Sequence, residues 1–167
     1  STRCLPRKVA DLTFDGRLDD AFWTGTRAPV FRDVTTGGKA PLRTTCHIAW
    51  GGDQALYLGI RAEEPDLANL AIGATDDDDP GIWNGDFIDV FLETQTHAYY
   101  QITFNPAGAL LDLDWAHQRK EYRWTSGAQV AVHRGDGSWT AELRLPCAGE
   151  VAADVDPLRG ISGRIPT

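Results

Sequence analysis

An all-β domain, built as an antiparallel sandwich, is what the sequence predicts. Three observations predict it. Short apolar runs of strand length recur along the 167 residues and are separated by clusters of Gly, Pro, Asn and Asp. Inside these runs apolar and polar side chains alternate, the period-two pattern of a half-buried strand. No long amphipathic helix and no internal repeat appears. The expected class is therefore a sandwich of jelly-roll or immunoglobulin-like type with at most one or two short helical turns.

Residues 1–11 form a polar lead-in without periodicity. Residues 12–23, LTFDGRLDDAFW, carry a turn signal at Asp15-Gly16. Asp19-Asp20 is placed to cap one helical turn that directs Leu18, Phe22 and Trp23 inward. Trp23 then serves as a core plug, given the apolar area an indole brings. Residues 24–41 read as loop, with a short strand at 30–34 as an option. Residues 44–50 place Cys46, Ile48 and Trp50 on one face, Gly51-Gly52-Asp53 turns the chain, and residues 55–62 continue with Leu56, Leu58 and Ile60. Two such runs about a Gly-rich turn make a hairpin. The chain leaves the sheet at Pro65, and residues 66–72 fit a short helix or a strand equally.

Residues 76–105 are the most informative stretch. An acidic, Pro/Gly-broken loop carries Trp83 into a run with Ile88, Val90 and Leu92 on one face and Phe87, Asp89, Phe91 and Glu93 on the other. After a polar connection, Tyr100, Ile102 and Phe104 take the core side while Gln101, Thr103 and Asn105 form a polar face. Folded as a hairpin, the runs bring Asp89 near Thr103 or Gln101, with Trp83 at the rim. A surface of aromatic and hydrogen-bonding groups suits a sugar, although an ordinary half-solvated strand pair has the same pattern. Pro106-Ala107-Gly108 turns the chain into residues 109–115, where Leu111, Leu113 and Trp115 share one face and Asp112 and Asp114 the other. Simple pairing of Asn105 with Ala109 puts the leucines on the polar face. Burial argues for a bulge that sets Asp112 and Asp114 beside Asp89 instead. Residues 116–127 read as a basic loop whose Trp124 either serves binding or packs on the sheet rim. Residues 128–133 and 138–145 flank a turn at Arg134-Gly135-Asp136-Gly137, and residues 146–167 are irregular.

Composition excludes several classes. A net charge of −8 disfavours nucleic acid, which needs clustered Lys and Arg. No apolar run approaches the length of a membrane span, so no membrane insertion is expected. The chain opens at Ser1 and contains no Met, as expected of a processed product or an excised piece of a larger protein. Cys4, Cys46 and Cys147 lack the spacing of a zinc site and fit one disulfide plus a free thiol or three buried thiols. There is no GxSxG elbow, phosphate-cradling Gly loop or HExxH motif. Asp89 with Asp112 or Asp114 is the one glycosidase-like carboxylate pair to weigh. Nothing marks a deep cleft or an acid of raised pKa, so no catalysis and no organic cofactor are expected. The acidic run Asp76 to Asp79 reads as a solvated loop or, through Asp77 and Asp79, as a calcium site, but it lacks the ligand spacing of an EF-hand.

DGRLDDAFW at 15–23, TTCHIAWGGDQALYLGIRAEEPD at 44–66, IWNGDFIDVFLE at 82–93, YYQITFNPAGALLD at 99–112 and GSWTAELRLP at 137–146 together resemble the family 9 carbohydrate-binding modules. The resemblance covers most of the chain, and each motif alone is degenerate. It implies one non-catalytic β-sandwich domain over residues 1–167, of the kind appended to xylanases and other secreted proteins acting on polysaccharide. A secreted, periplasmic or cell-surface setting, carbohydrate as ligand, neighbouring domains of a parent protein and structural calcium all follow as expectations. Members of this kind grip sugar chain ends between two tryptophans. Trp83 matches the first, Asp89 an acidic ligand residue changed from Glu, and Asn105 an amide ligand. Thr103 stands where a sugar-binding member has Arg. In the family the second tryptophan comes from a loop near the C-terminal end; ISGRIPT ends this chain where the final strand is expected, so Trp124 or Trp115 would have to substitute. Gln101, Thr103 and Asp112 complete the expected binding set. The alternatives are a scaffolding domain of the same fold without a sugar site and a haem-binding relative, for which His or Lys would replace the missing Met ligand.

Overall fold

The structure, a computed structural model, describes residues 5–93, 99–115 and 124–147. Its strands are β1 Thr44–Trp50, β2 Ala55–Glu63, β3 Ile88–Leu92, β4 Tyr100–Phe104, β5 Leu110–Asp114, β6 Gln129–Gly135 and β7 Ser138–Pro146. They form two sheets, one of order β1-β2-β7-β6 and one of order β3-β4-β5. Every pairing is antiparallel. The predicted hairpins β1–β2, β3–β4 and β6–β7 are present. The pairing of β2 with β7 joins the first and last of them into one sheet.

The principal core lies between the sheets, because alternation sends one set of apolar side chains inward from each strand. Leu56, Leu58 and Ile60 of β2 and Trp139, Ala141, Leu143 and Leu145 of β7 meet Leu92, Tyr100, Ile102 and Phe104 from the other sheet. Cys46 and Cys147 are buried in this core as free thiols, and Cys4 lies outside the described residues.

The outer face of the larger sheet is plugged by the N-terminal segment. Phe22 and Trp23 are buried against Ala49, Ala55 and Tyr57, with Leu18 beside them. A single 3-10 turn, Ala21–Trp23, directs these rings inward, as the sequence predicts. Asp20 stands at its N-cap but makes no side-chain cap bond; its carboxylate accepts from Thr13 N instead (3.0 Å). Glu142, fully buried on β7, fastens the plug. It accepts from the amides of Asp15 and Gly16 and from Trp23 Nε1 at 2.9–3.0 Å. Gly16 has φ +84° and lies so near the β6 backbone that a Cβ would meet Val132 C at 2.6 Å.

Three further 3-10 turns, Val9–Asp11, Leu67–Asn69 and Pro80–Asn84, exceed the one or two short turns expected. The second settles residues 66–72, which the sequence left open. Residues 30–34 form only isolated bridges, Val30 with Thr45 and Arg32 with Lys39.

The largest departure from expectation is the register of β5. Asn105 N donates to Ala109 O, and the simple pairing continues with Thr103 opposite Leu111 and Gln101 opposite Leu113. There is no bulge. The leucines are buried all the same, because residues 71–86 fold over the outer face of β3-β4-β5 as a third layer. Ala74 and Ile82 of that layer pack on Ala109, Leu111 and Leu113. The neck of the layer closes through Asp86 N to Ala71 O (2.7 Å) and Ala71 N to Asp86 Oδ2 (2.8 Å).

Candidate sugar-binding face

The simple register decides which groups share the outer face of the small sheet. Asp89 stands opposite Thr103 and next to Gln101. Its Oδ1 accepts from Gln101 Nε2 (3.1 Å) and, through a shorter bond, from the Thr103 hydroxyl. Gln101 Oε1 in turn accepts from Trp115 Nε1 (2.9 Å), which fixes the amide orientation as a relay from indole to carboxylate. Gln101 and Thr103 are buried while Asp89 is half-buried. The second carboxylate oxygen of Asp89 takes no hydrogen bond from the described residues. A carboxylate held by one oxygen and unspent at the other is ready to accept from a ligand hydroxyl.

Aromatic rings border this carboxylate. Tyr99 stacks on Trp115 with centroids 5.2 Å apart and 28° between planes, and Phe91 meets Tyr99 edge-on at 5.5 Å. Trp83, on the Pro80–Asn84 turn, leans with Trp115 on the cluster around Leu111 and Leu113. Trp83, Asp89, Gln101 and Thr103 thus belong to one outer face, together with Trp115, Phe91 and Tyr99. Phe91 is two residues from Asp89, Tyr99 two from Gln101, and Trp115 two from Leu113. Period-two counting on the simple register places all three rings there; the presumed bulge hid Trp115.

Three predicted residues stand elsewhere in role. Asn105 is fully buried, donating to Ala74 O (2.7 Å) and accepting from the amides of Ala107 and Ala109 (3.0 and 3.1 Å). It anchors the covering layer and the β4–β5 turn rather than facing solvent. Asp112 pairs opposite Ile102, on the other face of the sheet from Asp89, and its Oδ2 accepts from Ser126 N (2.6 Å). With no bulge, neither Asp112 nor Asp114 comes beside Asp89. Trp124 stacks on Tyr100 (4.7 Å, 25°) at the margin of the principal core, also on the far side of the sheet.

The acidic run has local work. Asp79 Oδ1 accepts from Gly81 N (2.8 Å) and caps the Pro80–Asn84 turn. Asp77 Oδ1 accepts from Leu110 N (2.9 Å), and Asp78 N donates to Leu110 O (2.9 Å), so the run is stitched to the edge of β5. Desolvation, then the charges of Asp112 and Asp77, push the Asp78 carboxyl above the usual range. Among the described residues no group of three or more His, Cys, Asp or Glu has the arrangement of a metal site.

Three solved structures share this architecture. A candidate carbohydrate-binding protein from Bacteroides uniformis matches with a TM-score of 0.63 at 18% identity, over 82% of this chain and 67% of that one. A family 9 carbohydrate-binding module from Caldicellulosiruptor kristjanssonii in complex with glucose matches at 0.52 and 13%, over 80% and 63%. The same organism's family 9 module in complex with cellotriose matches at 0.53 and 11%, over 84% and 66%. The chain shares its fold with the family 9 carbohydrate-binding modules. It spans 63–67% of the length of these structures. No family model and no curated protein matches the sequence.

Proposed function

We propose that this chain is a non-catalytic carbohydrate-binding domain that holds a sugar on the outer face of β3-β4-β5. The observation that carries the reading is Asp89, fixed through Oδ1 by Gln101 and Thr103, taking no bond from a described residue at Oδ2 and bordered by aromatic rings. A sugar hydroxyl donates to Oδ2 while the C–H face of the ring lies on an indole, that of Trp83 or Trp115. Hydrogen bonds to a charged group contribute roughly 1.5–3 kcal/mol each. Gln101 and Thr103 act through Asp89, as positioning residues. The fold shared with modules crystallised with glucose and cellotriose supports the ligand class. Few contacts give weak binding, which neighbouring modules of a secreted or surface protein working on polysaccharide would raise by avidity.

Isothermal titration with glucose, cellobiose, cellotriose and xylobiose, each beside its reduced alditol, tests the reading. Heat with a sugar, lost in both Asp89→Asn and Trp83→Ala while circular dichroism shows each variant folded at the titration temperature, is the expected result. No heat with any sugar favours the scaffolding reading, which the burial of Thr103 and Asn105 also fits.

A further inference from the structure

The opposite side of the molecule carries a second polar hollow. Across the outer face of the larger sheet one transverse row reads Thr45 on β1, Arg61 on β2, Thr140 on β7 and His133 on β6, each the register partner of the next. The N-terminal plug covers the adjacent row at Gly59 and Glu142 and reaches this one at Thr140, where Gly16 O accepts from its hydroxyl, while Arg61 stays exposed and Arg17, Leu18 and Asp19 form a wall. Together they leave a hollow of about 360 Å³, within the roughly 300–1,000 Å³ of small-molecule sites.

Arg61 is exposed at the centre of the row and forms no ion pair or side-chain hydrogen bond with a described residue. That is notable in a chain where 24 acidic residues face 16 basic ones. The Thr45 hydroxyl beside it likewise makes no hydrogen bond with a described residue. Thr140 donates to Gly16 O (2.6 Å) and keeps its lone pairs. His47 borders the hollow, and its tautomer follows from where the single Thr26 hydroxyl proton is assigned. The Thr26 hydroxyl donates to Trp23 O (2.7 Å), so it accepts from Nδ1–H of His47 (2.6 Å), leaving Nε2 as an acceptor. Asp19 and Asp136 stand at the margin as further acceptors, and Arg17 is turned to Asp15 at 3.6 Å.

We propose that this hollow binds a sugar acid, its carboxylate on the planar fork of Arg61 with the Thr45 hydroxyl, and its ring hydroxyls donating to His47 Nε2 and to Asp19 or Asp136. A guanidinium that no described residue engages supplies the paired donors a carboxylate matches. The surrounding acceptors select a hydroxylated ligand over a bare anion. The site lies on the other sheet from Asp89 and stands independently of the sugar-binding reading above.

The test is titration of the whole chain with glucuronate, glucose, methyl glucuronate ester, acetate and inorganic phosphate. Expected are binding of glucuronate that weakens with salt, at least about tenfold weaker binding of the ester, and a loss of similar size in Arg61→Ala. Arg61→Lys should restore charge but not the paired geometry, recovering part of the affinity. Asp89→Asn and Trp83→Ala should leave glucuronate binding unchanged. Since Arg61 is exposed, its substitution should not disturb folding, and an unchanged thermal midpoint checks this. No glucuronate binding, binding indifferent to Arg61→Ala, or equal binding of acetate and phosphate would overturn the proposal.

Discussion

Glu142 shows how a single buried charge ties two layers together. Three donors, from Asp15, Gly16 and Trp23, converge on it. Burial pushes its carboxyl above the ordinary 4.5, against the lowering effect of those bonds. A raised folded-state pKa means that its protonated form favours folding. This contribution is full below about 4.5 and fades as pH rises through the folded value. The difference in thermal midpoint between wild type and Glu142→Gln should therefore shift against wild type as pH rises from 4.5 toward neutrality, measured by calorimetry. Glu142→Ala, which orphans three donors, should cost about 2–4 kcal/mol in a denaturant titration at neutral pH. The cysteines act in the opposite sense. Burial pushes the Cys46 thiol up to about 11 and raises Cys147 as well. Both should resist alkylation in the native protein and react once it is unfolded, as peptide mapping by mass spectrometry would read.

At the scale of elements, residues 71–86 decide what the small sheet can do. They bury Leu111 and Leu113, carry Trp83, and are held by Asn105 through Ala74 O. Asn105→Ala removes one donor and one doubly used acceptor. It should cost about 2–3 kcal/mol and raise amide exchange selectively across this layer and the β4–β5 turn. The same layer explains where the sequence was legible. Period two found every named strand, the hairpin turns and the opposition of Asp89 to Thr103, because those depend on local alternation. It also correctly demanded that Leu111 and Leu113 be buried. Satisfying that demand with a bulge failed because a covering loop is a long-range contact, and alternation within one strand carries no trace of it. With the register restored, Trp115 joins Asp89 and Asp112 departs. Trp124 lay beyond pattern for a similar reason: its stacking on Tyr100 joins a loop to a strand far off in sequence.

For the whole molecule, the sandwich turns two unlike surfaces outward. One is the aromatic face around Asp89; the other is the polar row through Arg61. Between them the core of β2, β7 and β4 is apolar throughout, with Ile60, Ile102, Phe104 and Leu143 almost fully buried. Leu143→Ala there should cost about 2–5 kcal/mol in a denaturant titration. Arg61 variants should leave that stability nearly unchanged, and variants of the two surfaces should add independently in binding, since no side chain is shared. The most direct check on the central claim is amide and indole chemical-shift mapping during titration with cellotriose. The account predicts shifts grouped on Trp83, Asp89, Gln101 and the Trp115 indole N–H, with Trp124 and Asp112 quiet. Shifts confined to another surface, or none at saturating sugar, would contradict it.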